Sequence, residues 1–565
     1  MQSQCMACWA ENSCCIIYPF FLTGFFITSI YIIGRKVFTS GVHFETCVHM
    51  HVKKELLNKI VNSNYFFGAA AAIALFFLLL PLSLKIDFMQ NDDWVYYGMV
   101  ENFMKLDFRL DPLSAPTFYT QGVMGLLFAR VFGLERLPVL TLIVSVLCFF
   151  FLFVILLKHF NLGRFWSVPV SLVMFFNPLF IYSVWGFMTE NYFLLFMLLS
   201  ILFYLDTVGS GSRKSTVLYV VFIFLALNIR QVALVLPLSA LIYSFFKLDR
   251  KQVLLNLIIL AGLGIYYALV FPATPEMLEK GLQFHHLKDT PYVYSLIYGS
   301  FILMSALLLP LLVPGFKEKN KLKWVIFLGI AAGAYFLLNH YFQPSKVSWG
   351  EFPYFENTFE RKGFYPRGVL GTKYYFRYMF DLYRHWDSAA KIILSVFISY
   401  ALLKIKKISG LWAVFIITYL GVMTVTETFY DRYLVILVPA SIFLILGVSG
   451  LKVVNKILIV PFLAFLVFYN YQLSMDFILV NKYIWNKSEE LVITYDKEPR
   501  RIQGTNAWKL KYLNLRRNYV FDFTYDSADV NKPYRDLYLT EEVKKIEFPG
   551  SLWVKPYIYL YQKID

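Results

Sequence analysis

Residues 66–84 read FFGAAAAIALFFLLLPLSL, nineteen positions without one charged side chain. An uncharged apolar run of about 18 or more residues spans the roughly 30 Å hydrocarbon core of a bilayer as a helix. Residues 142–157, LIVSVLCFFFLFVILL, repeat the pattern, and further runs follow to the end of the central region. They predict thirteen helices, at 64–84, 137–157, 165–184, 188–205, 216–229, 232–246, 253–271, 292–314, 324–341, 389–403, 409–426, 433–449 and 457–472. The expected fold is therefore an all-α polytopic membrane protein. Composition agrees: of 565 residues 58% are hydrophobic and only 16% charged, against about 25% charged in soluble domains.

The charges between the runs give a direction. The connections 158–164, 206–215, 247–252, 315–323, 404–408 and 450–456 hold sixteen Lys and Arg against three acids, Asp206, Asp249 and Glu318. The short opposite connections 185–190, 228–231, 272–291 and 427–432 hold four basic residues and six acids. Short basic loops stay in the cytoplasm, so the second set is expected outside. Three longer segments then fall on the outer side: 85–136, 342–388 and the tail 473–565. The tail contains β-rich stretches such as LWVKPYIYLY (552–561) and is expected to form a small α/β domain. The net charge of +16 comes from short clusters between apolar runs, as a topology signal does, and does not point to nucleic acid.

Residues 1–49 differ from the rest and hold five of the six cysteines. They read as an extension foreign to the protein or as one extra helix over Ile16–Ile33. No basic n-region precedes that run, which argues against a cleaved signal peptide. The segment MHVKKELLNK from Met50 leads directly into the first span.

Four motifs gather polar groups on the expected outer face. The first is FMQNDDWVYYGMVENF (88–103), where Asp92 and Asp93 stand just beyond the first span. A cap for the following helix explains one aspartate; acids at a membrane boundary otherwise mark a working site. In GFMTENYFLLF (186–196), Thr189 and Glu190 open a helix, either as cap and first-turn acid or as ligand groups. In NIRQVALVLP (228–237), Arg230 and Gln231 interrupt apolar sequence, and so deep an arginine must snorkel, pair or bind an anion. In FYDRYLVILVP (429–439), Asp431, Arg432 and Tyr433 suggest an intramembrane ion pair or an anion site. His285 and His286 lie in the 272–291 connection, where adjacent imidazoles suit at most one metal ligand. Arg361, Lys362, Arg367, Lys373, Arg377, Arg384 and His385 crowd 342–388, either as a lipid-facing belt or as a groove for an anionic head group and a sugar.

Together, Asp92-Asp93-Trp94, the FMTEN step, Arg230-Gln231 and the DRYL pattern ending at Pro439 resemble the C-type glycosyltransferase superfamily of membrane enzymes. The chain is similar in particular to bacterial protein O-mannosyltransferases, to other glycosyltransferase family 39-like proteins, and to the aminoarabinose transferase of lipid A modification. The segments DFILVNKYIWNKSEEL (476–491) and RIQGTNAWKLKY (501–512) resemble stretches of these relatives too, so the resemblance runs from Met50 to the end. It implies an inverting transfer from a polyprenyl-phosphate sugar to a hydroxyl of a lipid, glycan or protein, outside the cytoplasm at a bacterial plasma membrane. It implies Asp92 as general base, with Asp93 orienting it or holding the acceptor. Relatives often carry Asp-Glu here, so this Asp-Asp leaves the division of labour open. It further implies that Glu190, Arg230, Gln231, His285, Asp431, Arg432 and Tyr433 contact substrate. Some relatives hold a divalent cation near the donor phosphate, for which His285 is the nearest candidate ligand.

Other classes remain in view. A transporter or flippase for lipid-linked glycans would suit so many helices, but such proteins keep charged sites near the midplane and show repeats with broken helices. A glycan polymerase or ligase would share the donor and the face while relying on Arg and His. In a receptor-like scaffold the carboxylates would be dispensable.

Overall fold

The computed structural model describes residues 64–90, 92–111, 117–270, 290–313, 320–342, 358–360, 363–364, 382–404, 410–426, 429–512, 519–522, 537–542 and 559–563. The extension 1–49, His285, His286 and most of 342–388 lie outside them.

The described chain is mostly helical. The principal helices are α1 (Asn64–Ser83), α2 (Asp93–Met104), α3 (Tyr119–Phe132), α4 (Leu137–His159), α5 (Arg164–Phe175), α6 (Thr189–Ser210), α7 (Arg213–Leu227), α8 (Val235–Phe246), α9 (Arg250–Val270), α10 (Thr290–Ala306), α11 (Lys321–Tyr341), α12 (Leu382–Leu403), α13 (Gly410–Met423), α14 (Leu437–Ser449), α15 (Val453–Ile493) and α16 (Asn506–Lys511). A helix lies at each of the thirteen apolar runs. Among the described residues, however, seven are long and apolar enough to cross a membrane, or eight if the bent segment after α4 counts as one span.

That bend is written in the sequence. The run predicted as one helix over 165–184 turns by 65° between Phe175 and Pro178. Pro178 disfavours helical backbone at the residue before it; Asn177 is extended there, and its Oδ1 accepts from Leu179 N. The broken piece is held by α15: Tyr182 Oη donates to Asn470 Oδ1 at 2.6 Å, Asn470 Nδ2 donates to Phe176 O at 2.7 Å, and Trp185 Nε1 donates to Ser474 Oγ at 2.8 Å.

Two expectations need correction. The segment 85–136 is not simply a loop, since α2 and α3 occupy much of it. Their apolar positions are diluted by polar residues such as Asp93, Glu101 and Gln121, so neither stands out as a long apolar run. The helix predicted over 457–472 also does not stop there. It continues to Ile493, 41 residues in all, because nothing between 472 and 493 is Gly or Pro and one face stays buried through Asp476, Val480, Ile484 and Leu491.

Beyond α15 the described strands β3 (Ile502–Gln503), β4 (Tyr519–Asp522), β5 (Leu537–Glu542) and β6 (Tyr559–Lys563) form one sheet in the order β3-β4-β6-β5. β3 and β4 are parallel, the other pairs antiparallel. A second pair within 342–388, β1 (Phe359–Glu360) with β2 (Gly363–Phe364), is antiparallel, each strand two residues long. Among the described residues the largest apolar cluster runs through α4, α6, the bent segment and α14, and a smaller one joins Phe327, Tyr400 and Val448.

Candidate active site

Glu190 opens α6, and Arg230 and Arg432 each stand just before or within a short 3-10 turn that leads into an apolar helix. Gln231–Leu234 precedes α8, and Asp431–Ile436 precedes α14. The two arms share a pattern the motif reading missed: each arginine is followed seven positions later by a proline, Pro237 and Pro439. A proline in the first helical turn lacks an N–H that would have no partner there in any case. The matched spacing thus places both guanidiniums at the same kind of helix mouth.

Asp93 is a clamp. Its side chain is fully buried. Oδ2 accepts the Gln90 N–H at 3.0 Å and Oδ1 accepts the Phe187 N–H at 2.9 Å. The Phe187 carbonyl in turn accepts from Gln121 Nε2 at 2.8 Å, so both polar groups of that peptide are satisfied by side chains from α2 and α3. Burial pushes the Asp93 carboxyl up to about 7, with the two backbone donors pulling the other way and the charges of Asp92 and Glu190 adding to the rise. The approach requires a glycine: a Cβ on Gly186 would lie 2.9 Å from Asp93 Oδ2.

Asp92 is different. It occupies the cap position of α2 but makes no side-chain cap bond, so capping does not explain it. Its carboxylate is 35% exposed and accepts from Arg432 Nη2 at 3.1 Å. Arg432 Nε also lies 2.8 Å from Glu190 Oε1. The same Glu190 oxygen accepts from Arg230 Nη2 at 3.0 Å, while Arg230 also donates to Thr189 Oγ1 through Nε and Nη2 at 2.9 and 2.6 Å. Glu190 is fully buried, and its Oε2 has no hydrogen-bond partner. Aromatic faces cover the cations: Arg230 lies 4.5 Å from the Tyr433 ring centre and Arg432 4.6 Å from that of Tyr430. Such stacking suits a partly desolvated guanidinium.

The structure thus brings Asp92, Glu190, Arg230, Arg432 and Tyr433 into one cluster. Asp93 is adjacent but faces away into its backbone donors. Asp431 is buried beside Arg432. Gln231 does not join: its Nε2 donates to Tyr267 Oη on α9 at 3.1 Å, which turns it from its neighbour Arg230. Thr189 is not a cap; Met188 holds that position without a side-chain bond, and the Thr189 hydroxyl serves Arg230. His285 falls outside the described residues. Sequence reasoning overlooked Tyr96, whose phenol is buried and held well above its ordinary range by that burial and by the nearby charges of Asp92 and Glu190. It stays neutral at any ordinary pH. Its position, one helical turn after Asp92, was the available signal. Tyr430 was likewise overlooked, though it stands two residues before Arg432.

Among the described residues no three His, Cys, Asp or Glu side chains come close enough to share a metal ion. No family model, curated protein or solved structure matches this chain.

Proposed function

We propose that this chain is an inverting glycosyltransferase. In this reading it moves a sugar from a polyprenyl-phosphate donor to a hydroxyl of a lipid, glycan or protein, on the outer side of a bacterial plasma membrane crossed about thirteen times. One observation carries the reading. Of two adjacent aspartates, one is committed to two backbone donors, while the other is part-exposed, makes no cap bond and is set against the Arg432 guanidinium. Asp92 is then the general base. The acceptor hydroxyl oxygen attacks the anomeric carbon, its proton passes to Asp92, and the bond from that carbon to the phosphate oxygen breaks. Charge growing on the departing lipid phosphate is met by Arg432 and Arg230, fixed in advance by Glu190, Thr189 and the tyrosine faces. A planar guanidinium fork fits phosphate oxygens well. Asp93 positions Asp92 and the 186–190 turn. Any divalent cation would take ligands that the described cluster does not supply.

The first test is mass spectrometry of surface lipids, polysaccharides and proteins from cells with and without the chain, looking for one missing sugar. Asp92→Asn should fail to restore it while the protein still folds. Wild-type transfer by both Asp92→Asn and Asp93→Asn would sink the catalytic assignment. A reporter fused after Ser488 should be active only outside the cytoplasm. Two broken stretches suit a transporter of lipid-linked glycans, the break at Arg230 between α7 and α8 and the bend at Phe175–Pro178. Vesicles carrying the pure chain should therefore transfer sugar without moving labelled lipid across the bilayer.

A further inference from the structure

The two guanidiniums are not equally committed. Arg230 makes three side-chain hydrogen bonds, two to Thr189 and one to Glu190. Arg432 makes one, from Nη2 to Asp92. Its Nε is close to Glu190 Oε1, but off the N–H direction, so this buried donor has no hydrogen-bond acceptor. A guanidinium offers five N–H groups and no acceptor, and a buried one left short of partners is costly. Arg432, only 8% exposed, is therefore the cation with capacity to spare.

The charge balance adds a condition. Arg230 and Arg432 face Glu190 and Asp92, two cations against two anions. Among the described residues of the cluster both cations are already paired, so a phosphate that binds them there displaces a carboxylate. Glu190 cannot leave, because it is wholly buried and tied to both arginines. Asp92 can, because at 35% exposure its carboxylate has water to turn to.

Building on the glycosyltransferase reading, we propose that the Asp92–Arg432 pair is an exchange switch operated by the donor's phosphate anion. The phosphate takes Arg432 Nη2 from Asp92. The guanidinium keeps its place on the Tyr430 face and beside Glu190. Asp92, released, turns to the acceptor hydroxyl. Before the donor arrives, the base is occupied by a cation and activates no water. Binding is therefore ordered, with the donor first and the acceptor second. Asp92 and Arg432 pair with each other in the resting state and serve the two substrates separately in the loaded one.

The test is a binding measurement on the purified full chain, with farnesyl phosphate as probe. Asp92→Asn removes the competing carboxylate charge and should tighten farnesyl phosphate binding at least tenfold. In an Arg432→Lys background the same change should matter less than threefold, because the fork that exchanges is gone. Asp87→Asn, which removes a carboxylate paired instead with Lys482, should leave affinity unchanged. Equal or weaker binding by Asp92→Asn would overturn the exchange, and so would an equal gain in the Arg432→Lys background or from Asp87→Asn. Inorganic phosphate run in parallel separates the sources. The same pattern assigns the exchange to the anion alone, and the pattern with farnesyl phosphate only assigns it to lipid-linked phosphate. Should Asp92→Asn not fold, the unsubstituted chain gives a second reading: carbodiimide labelling of Asp92, followed by mass spectrometry, should rise severalfold with farnesyl phosphate. No rise would overturn the switch. Affinity and turnover answer separate questions. An Asp92→Asn variant that binds tighter yet still transfers sugar would refute the base assignment and leave the exchange standing.

Discussion

Arg432 and Asp92 are 340 positions apart in the chain, and Nη2 of the first is 3.1 Å from Oδ2 of the second. The contact joins the mouth of α14 to the mouth of α2. Glu190 stands behind it and carries both arginines on one oxygen. These relationships set how the cluster should respond to substitution.

Glu190→Gln should destabilise the protein more than Asp92→Asn. Removing one partner of a buried ion pair leaves an uncompensated charge, at a cost of roughly 3–5 kcal/mol, and here two guanidiniums lose their shared counter-charge. Asp92 is part-exposed, and water takes over much of its role. Unfolding in detergent of each variant beside the unsubstituted chain checks the ranking. A Glu190→Gln variant as stable as Asp92→Asn would show that Glu190 is not the hub.

Stability should fall as pH rises from about 4 to about 7. The Asp93 carboxyl titrates near 7 in the folded chain and near 3.9 in an unfolded one. Between those values the folded state binds more protons, so raising pH favours unfolding, and the effect levels off above about 7. A pH series of unfolding midpoints should show this slope, and Asp93→Asn should flatten it. A slope that survives the substitution assigns it to another group.

Gly186→Ala should disturb Asp93 without touching the cations. The added methyl would sit 2.9 Å from Asp93 Oδ2, and both the carboxylate and the Phe187 peptide must move. Transfer should drop at least tenfold, while farnesyl phosphate binding changes little. Equal loss of both would mean that the turn also shapes the anion site.

Thr189→Val should loosen Arg230, and Thr189→Ser should not. The hydroxyl accepts two guanidinium donors, and a buried donor stripped of its acceptor costs about 1–3 kcal/mol. Thermal unfolding distinguishes the pair; a Thr189→Val variant no less stable than Thr189→Ser would show that the hydroxyl does not hold Arg230.

The helical framework was legible because uncharged runs such as 66–84 admit few other readings. What those runs hide is where a helix bends or ends in a membrane. The run 165–184 reads as one helix although Pro178 breaks it, and α15 passes from apolar sequence into NKSEEL (486–491) without a break, where a change in polarity reads as an ending that the backbone does not have. Asp92, Glu190, Arg230, Arg432 and Tyr433, which the structure brings together, all stand in the motifs read from the sequence, while Tyr96 and Tyr430 were not singled out. The pairing within the cluster was not legible. Asp92 and Asp93 are the same residue type in neighbouring positions, and only the placement of the Phe187 N–H, set by the bend and by Gly186, assigns one to scaffolding and the other to solvent. Gln231 misled for the converse reason: beside Arg230 in sequence, it points to another helix.

At about 1.5 Å per residue, the 41 residues of α15 make a rod about 60 Å long, twice the roughly 30 Å of a bilayer's apolar interior. Its middle is lashed to the turn before Glu190 through Asn470 and Ser474. On the reading proposed above, a rod anchored in that way would act as a gauge of bilayer thickness: thinner lipid would tilt it, and the tilt would be delivered to the ground on which the ion pairs stand. Reconstituted into lipids of graded chain length, the protein should work fastest at one thickness and lose activity on either side of it. A flat profile would show the lashing to be slack.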